Sequence, residues 1–177
     1  MPSNVIPNGS FETDENWNFY GSGTTPHYVT DVHYDVQRSL RCTQVTTGET
    51  LQTYAFFTVP TGKTYRFSFY AQFEEANNIT LRFFIAPRMG GNSYCNYTLP
   101  DAETFTGIKS FNVDIPASTS DTVEVMLTIA TKWLSGATLK KVWIDALEMV
   151  EMLPYEKWAQ GYISIPQTKI RKEPNTT

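Results

Sequence analysis

The chain is poor in the residues that define several large classes of protein. Cysteine occurs twice in 177 residues, so a disulfide-stapled scaffold is excluded. Charged side chains make up only 18%, and 14 basic against 18 acidic residues leave a formal net charge of −4. Phosphate contacts need a clear basic excess, so a nucleic-acid partner is not expected. No apolar run reaches the roughly 18 residues of a bilayer-spanning helix, and no membrane partner is expected either. The opening MPSNVIPNGS has neither a basic nor an apolar stretch of the kind that begins a secretory leader. Catalytic signatures are missing as well: there is no nucleophile elbow, Walker loop, HExxH or CxxC. His27 and His33 stand six apart and match no zinc spacing. Glu74 and Glu75 are adjacent, whereas glycoside hydrolysis sets two carboxyls about 5–10 Å apart across a cleft. The expectation is a protein that is not an enzyme.

Aromatic residues are plentiful, at 14%, within a hydrophobic content of 41%. A chain of this length buries a sizeable core as one domain. Its pattern has the period of strands. In Thr64–Ala71, Tyr65, Phe67 and Phe69 share one face while Arg66, Ser68 and Tyr70 share the other. Ile79, Leu81, Phe83 and Ile85 repeat the pattern, as do the runs 123–129 and 139–145. Turn chemistry divides these runs at Pro60–Lys63, Glu75–Asn78, Met89–Asn92 and Pro116–Asp121. Strands of this length, with no amphipathic helix between them, predict an all-β fold, a β-sandwich or jelly roll, over residues 1–153. Cys42 and Cys95 read as buried free thiols, though spacing alone leaves a bond between them open.

Beyond Pro154 the pattern changes. Residues 154–177 contain further prolines, scattered apolar side chains and a basic excess. They read as an extended C-terminal arm, with Tyr155, Trp158, Tyr162, Ile163 and Ile165 as its partner-binding residues. Such an arm either wraps a protein neighbour in an assembly or folds back to close an edge of its own sandwich.

Four stretches together resemble a known family. They are Asn4-Val5-Ile6-Pro7-Asn8-Gly9-Ser10-Phe11-Glu12 with Trp17, Arg38-Ser39-Leu40-Arg41, Thr61–Ala71, and Val142-Trp143-Ile144-Asp145-Ala146-Leu147-Glu148. In this order they are similar to the carbohydrate-binding modules of families four, nine and twenty-two, which are galactose-binding-like jelly rolls. The resemblance covers roughly residues 4–152. Asp35 and Ala146 depart from it, standing where the family has Gly and a second acid. It implies that Trp17 lies in the core, and the place of Trp143 in the closing strand puts it there as well. It also implies that Glu12 and Asp145 help hold a structural calcium ion; the other reading of these two carboxylates is that they cap backbone amides.

A glycan module stacks aromatics on sugar rings and bonds the hydroxyls with polar side chains. The ligand-binding candidates are Tyr20, Tyr34, Tyr94, Tyr97, Trp133 and Arg88, with Arg82 and Gln72 as further hydrogen-bonding groups. Two settings follow. In the first, the sandwich is displayed on a virus particle, as a phage capsid decoration or tail protein assembled in the host cytoplasm and anchored by its arm. The alternative is an extracellular glycan-binding module of a secreted polysaccharide-degrading system.

Overall fold

A computed structural model describes residues 3–20, 27–35, 37–43, 50–74, 79–99, 106–133 and 141–153. Among them run ten strands and no helix. In chain order these are β1 (Asn18–Tyr20), β2 (His27–Val29), β3 (Ser39–Thr43), β4 (Thr50–Pro60), β5 (Lys63–Glu74), β6 (Ile79–Pro87), β7 (Cys95–Leu99), β8 (Thr106–Ile115), β9 (Thr122–Trp133) and β10 (Lys141–Glu151). They form two antiparallel five-stranded sheets. The first has the order β1-β4-β9-β6-β7 and the second the order β2-β3-β10-β5-β8. The all-β jelly-roll sandwich expected from the alternation and the family resemblance is therefore the observed fold.

The alternating residues fill the space between the sheets. Tyr65, Phe67, Phe69 and Phe73 of β5 are buried there with Leu81, Phe83 and Ile85 of β6 and Val125, Leu127 and Ile129 of β9. Phe69 and Phe83 meet across the layers with ring centroids 4.2 Å apart. Phe67 stacks on Phe111 of β8, and Phe111 stacks on Tyr97 of β7. Aromatic contacts thus join both sheets at the core. Trp17 is buried in the same cluster, and its indole N–H donates to the Asn8 carbonyl. The two cysteines are free thiols. Cys42 lies in the core, where burial pushes its thiol up to about 12.

The closing strand β10 changes register midway. Asp145 pairs with Tyr70, but the next pair is Glu148 with Ser68, so one extra residue is inserted. Ala146 sits there at φ 48°, in the left-handed region. Without the bulge, strict alternation from Ile144 would turn Ala146 and Glu148 inward. With it, Leu147 and Met149 enter the core, at 1% and 0% exposure.

The N-terminal segment seizes this bulge. The Leu147 N–H donates to the Gly9 carbonyl, and the Val5 N–H donates to the Met149 carbonyl. The Asn4 side chain donates to the Leu147 carbonyl and accepts from the Met149 N–H. The approach is so close that a Cβ on Gly9 would stand 2.1 Å from the Leu147 oxygen.

Trp143 is buried, as expected, but not between the sheets. Val142 and Ile144 take the inward positions of β10, so Trp143 faces outward, and its N–H donates to Asp31 Oδ1 at 3.0 Å. The side chains of Ile79 and Trp133, residue Leu139 and the whole arm from Pro154, with Tyr155, Trp158, Tyr162, Ile163 and Ile165, lie outside the described residues.

Gly9→Ala is expected to destabilise the fold by about 1–3 kcal/mol, the usual cost of overpacking a close contact. A fall in the urea midpoint at unchanged slope checks this. Wild-type stability would mean that the hook onto the bulge contributes nothing.

Candidate functional site

The outer faces of the two sheets differ. On the second, residues 31–35 with Gln37 and Arg38 form a roof. Asp145 is fully buried beneath it, and its Oδ2 accepts the N–H groups of Tyr34 and Asp35 at 2.7 and 2.9 Å while Oδ1 accepts that of Ala146. Glu12 Oε1 accepts the N–H groups of Gln37 and Arg38 at 3.0 and 2.8 Å. Tyr34 stacks on Tyr70, centroids 4.8 Å apart, and is 55% exposed. Asp31 joins the roof to β3 through Arg41, at 2.8 Å, and to Trp143. Burial pushes Asp31 up, but the donors Trp143, Val32 and Arg41 outweigh it and hold its carboxyl below the ordinary value. Gln72, on the same sheet, accepts the Tyr70 hydroxyl.

The first sheet carries an open groove. Its outward residues follow from the pairing register. Tyr54 of β4, Thr128 of β9, Phe84 of β6 and Asn96 of β7 form one cross-strand row, and Gln52, Ala130, Arg82 and Thr98 form the next. The central strand β9 supplies Met126 and then two small residues, Thr128 and Ala130, opposite the large Tyr54, Phe84, Gln52 and Arg82 of its neighbours. Strands lie about 4.8 Å apart, so walls on β4 and β6 stand about 10 Å apart across a low floor. A cavity of about 250 Å³ lies there, lined by Gln52, Arg82, Phe84, Met126, Thr128 and Ala130. Arg82 Nε donates to Asn96 Oδ1 at 2.6 Å, and its guanidinium lies 5.2 Å from the Phe84 ring centre. At one end Tyr54 and Phe56 meet edge to face, Arg88 covers Phe56 at 4.3 Å, and Arg88 pairs with Glu124 at 2.8 Å.

The expected ligand-binding residues are scattered over this framework. Tyr20 pairs with Gln52 on the groove face and is 73% exposed. Arg88 shares that face. Tyr34 belongs to the roof of the other sheet. Tyr94 and Tyr97 do not form a free platform. Both pack against the core, because Tyr97 lies opposite the inward Phe83. Trp133 ends β9 opposite Ile79, with its side chain outside the described residues. Gln52, Tyr54, Phe56, Phe84 and Asn96 were not singled out by the sequence reading. The signal for them was the alternation of β4 and β6, read for its outward face.

Glu12 Oε1 and both carboxylate oxygens of Asp145, which would turn to a cation, are turned to N–H donors. A calcium ion takes six to eight oxygen ligands. No group of three or more acidic, His or Cys side chains gathers among the described residues. These two carboxylates therefore fit amide clamps better than calcium ligands, and we propose that role for them.

Burial raises the Asp145 carboxyl above its ordinary value, outweighing the three amides that favour the charged form. The folded state then holds the proton longer than the unfolded chain. The wild type is expected to lose stability relative to Asp145→Asn as pH rises from about 4 through that raised value. Urea melts at stepped pH measure the difference; one that stays flat or grows in favour of the wild type refutes it. A chelator is expected to leave both melts unchanged, and a fall would restore the cation.

The family model for carbohydrate binding domains, of the type joining families four and nine, matches residues 3–135. No curated protein sequence matches the chain. Among solved structures, the enzymatically active domain of tailspike protein 4 from bacteriophage CBA120 is similar at a TM-score of 0.62 and 16% identity; the match covers 84% of this chain and 21% of the tailspike chain. This chain therefore spans about a fifth of that protein's solved length. The module TmCBM61, solved with β-1,4-galactotriose, matches at 0.60 and 15% identity over 85% of this chain and 99% of its own. A family 16 carbohydrate-binding module matches at 0.58 and 20% identity over 84% and 100%. At such identities these structures share the fold alone; the family rests on the sequence match, which spans most of the sandwich and contains the opening motif, the roof and the groove strands. By that match the chain belongs to the carbohydrate-binding domain family.

Proposed function

We propose that the chain is a non-catalytic glycan-binding module and that the groove on the first sheet is its binding site. One observation carries the reading: aromatic walls on β4 and β6 face each other across a small-residue floor beside Gln52, Arg82 and Asn96. Aromatic faces pack against the apolar faces of sugar rings, while amide and guanidinium groups bond the hydroxyls. Among the described residues the groove holds no pair of carboxylates across a cleft, the arrangement hydrolysis needs. The acid on its face, Glu124, is tied to Arg88.

Tyr54→Ala and Phe84→Ala are each expected to weaken binding on a polysaccharide panel about tenfold or more, as loss of a ring contact does. Thr128→Phe, which raises the floor, is expected to block binding. All three keep the sandwich's circular dichroism. Tyr97→Ala is expected to lower the melting temperature without changing affinity. Binding that survives the groove variants and is lost with Tyr97→Ala would place the site elsewhere.

We further infer that the module is displayed on a virus particle, held there by residues 154–177. What supports this setting is that the same fold occurs within a bacteriophage tailspike. The alternative, a module of an extracellular polysaccharide-degrading system, uses the same groove and differs in what carries it. Removing residues 154–177 is expected to leave the melting temperature unchanged and to abolish co-sedimentation with particles. A lowered melting temperature would instead show that the arm closes its own sandwich, and a full chain that never sediments with particles would favour the secreted setting.

A further inference from the structure

We propose that the groove is selective for acidic polysaccharides, with Arg82 as the receptor for a carboxylate on the sugar. The inference rests on the glycan reading and narrows it to a substrate class.

The arginines differ in how they are partnered. Arg38, Arg41 and Arg88 each pair with a carboxylate, from Asp14, Asp31 and Glu124. Arg82 does not pair with an acid among the described residues. Its partner is the neutral amide oxygen of Asn96, which orients the guanidinium without neutralising it. The Phe84 ring supports the same group from the side. Nε is occupied by Asn96, and among the described residues no acid takes the terminal nitrogens of the planar fork. Arg82 is exposed and lines the cavity.

The rest of the lining is uncharged: Gln52, Phe84, Met126, Thr128 and Ala130. On a chain whose formal net charge is −4, this groove therefore holds a positive charge with no counter-charge among the described residues of its lining. A guanidinium fork matches the two coplanar oxygens of a carboxylate. A ring carboxylate seated on Arg82 would leave the sugar face against the aromatic walls. A neutral glycan would leave the cation bonded only to hydroxyls. Because hydrogen bonds to charged groups are roughly twice as strong as neutral ones, the acidic form should be favoured.

The test uses the full chain and three uronate polymers: polygalacturonate, alginate and hyaluronan. Each is compared with its carboxyl-reduced, neutral counterpart by affinity electrophoresis. At least one acidic polymer is expected to bind about tenfold tighter than its reduced form, and rising salt is expected to erode that advantage. Arg82→Gln is expected to bring the acidic polymer down to the reduced one, and Arg82→Lys to recover the advantage only in part. Melting temperatures of both variants confirm that they are folded. Equal binding of acidic and reduced forms overturns the selectivity and leaves the glycan reading standing. So does a preference that persists in Arg82→Gln, or a stronger preference for sulfated polymers. Absence of binding to these and to neutral glycans alike overturns both.

Discussion

One inserted residue in the closing strand organises much of this molecule. The bulge between Asp145 and Glu148 places Ala146 at positive φ and shifts the alternation so that Leu147 and Met149 enter the core instead of Ala146 and Glu148. It also leaves the backbone groups of Leu147 without strand partners at their usual positions. Asn4 and Gly9 take them up, which ties the beginning of the chain to the end of the sandwich. On the other face, Asp145 collects three amides and pins the segment at Tyr34 and Asp35. A buried carboxylate is tolerable only when its lone pairs are satisfied, so the roof and the bulge depend on each other.

The two outer faces then have separate tasks. The roof over the second sheet buries Trp143 and Asp145, while Arg66 and Glu148 on the same sheet stay exposed. On the first sheet the small residues of β9 run between the larger side chains of β4 and β6, and the cavity above them is open. The floor is a central strand, hydrogen-bonded on both sides, so the groove walls are held before any ligand arrives. Such preorganisation lowers the entropy lost on binding, which suits the role proposed for this groove.

Parts of this arrangement were legible in the residues. The strands β5, β6 and β9 announce their inward faces because the large apolar side chains all fall on one parity. The opening and closing motifs announced the family, and the structure brings them into direct contact. The strand β4 is harder to read. Its inward residues include Thr53 and Ala55, while its outward ones include Tyr54 and Phe56, so size does not mark the buried side. This ambiguity hid the groove wall. The opposite error affected Tyr94 and Tyr97. Following a glycine-rich loop, they looked solvent-facing, but β7 pairs with β6 in a register that turns Tyr97 inward onto Phe111.

What the sequence determined by itself was the period of its strands, the places where they turn and the motifs at its two ends. These are local properties, set by alternation along one chain segment and by the backbone preferences of Gly, Pro and Asn. The groove was decided only by tertiary structure. It requires Thr128 and Ala130 to lie between residues some 44 to 78 positions away, and Arg82 to meet Asn96. Cross-strand neighbours are chosen by sheet order and register, and neither is encoded within any single stretch of sequence.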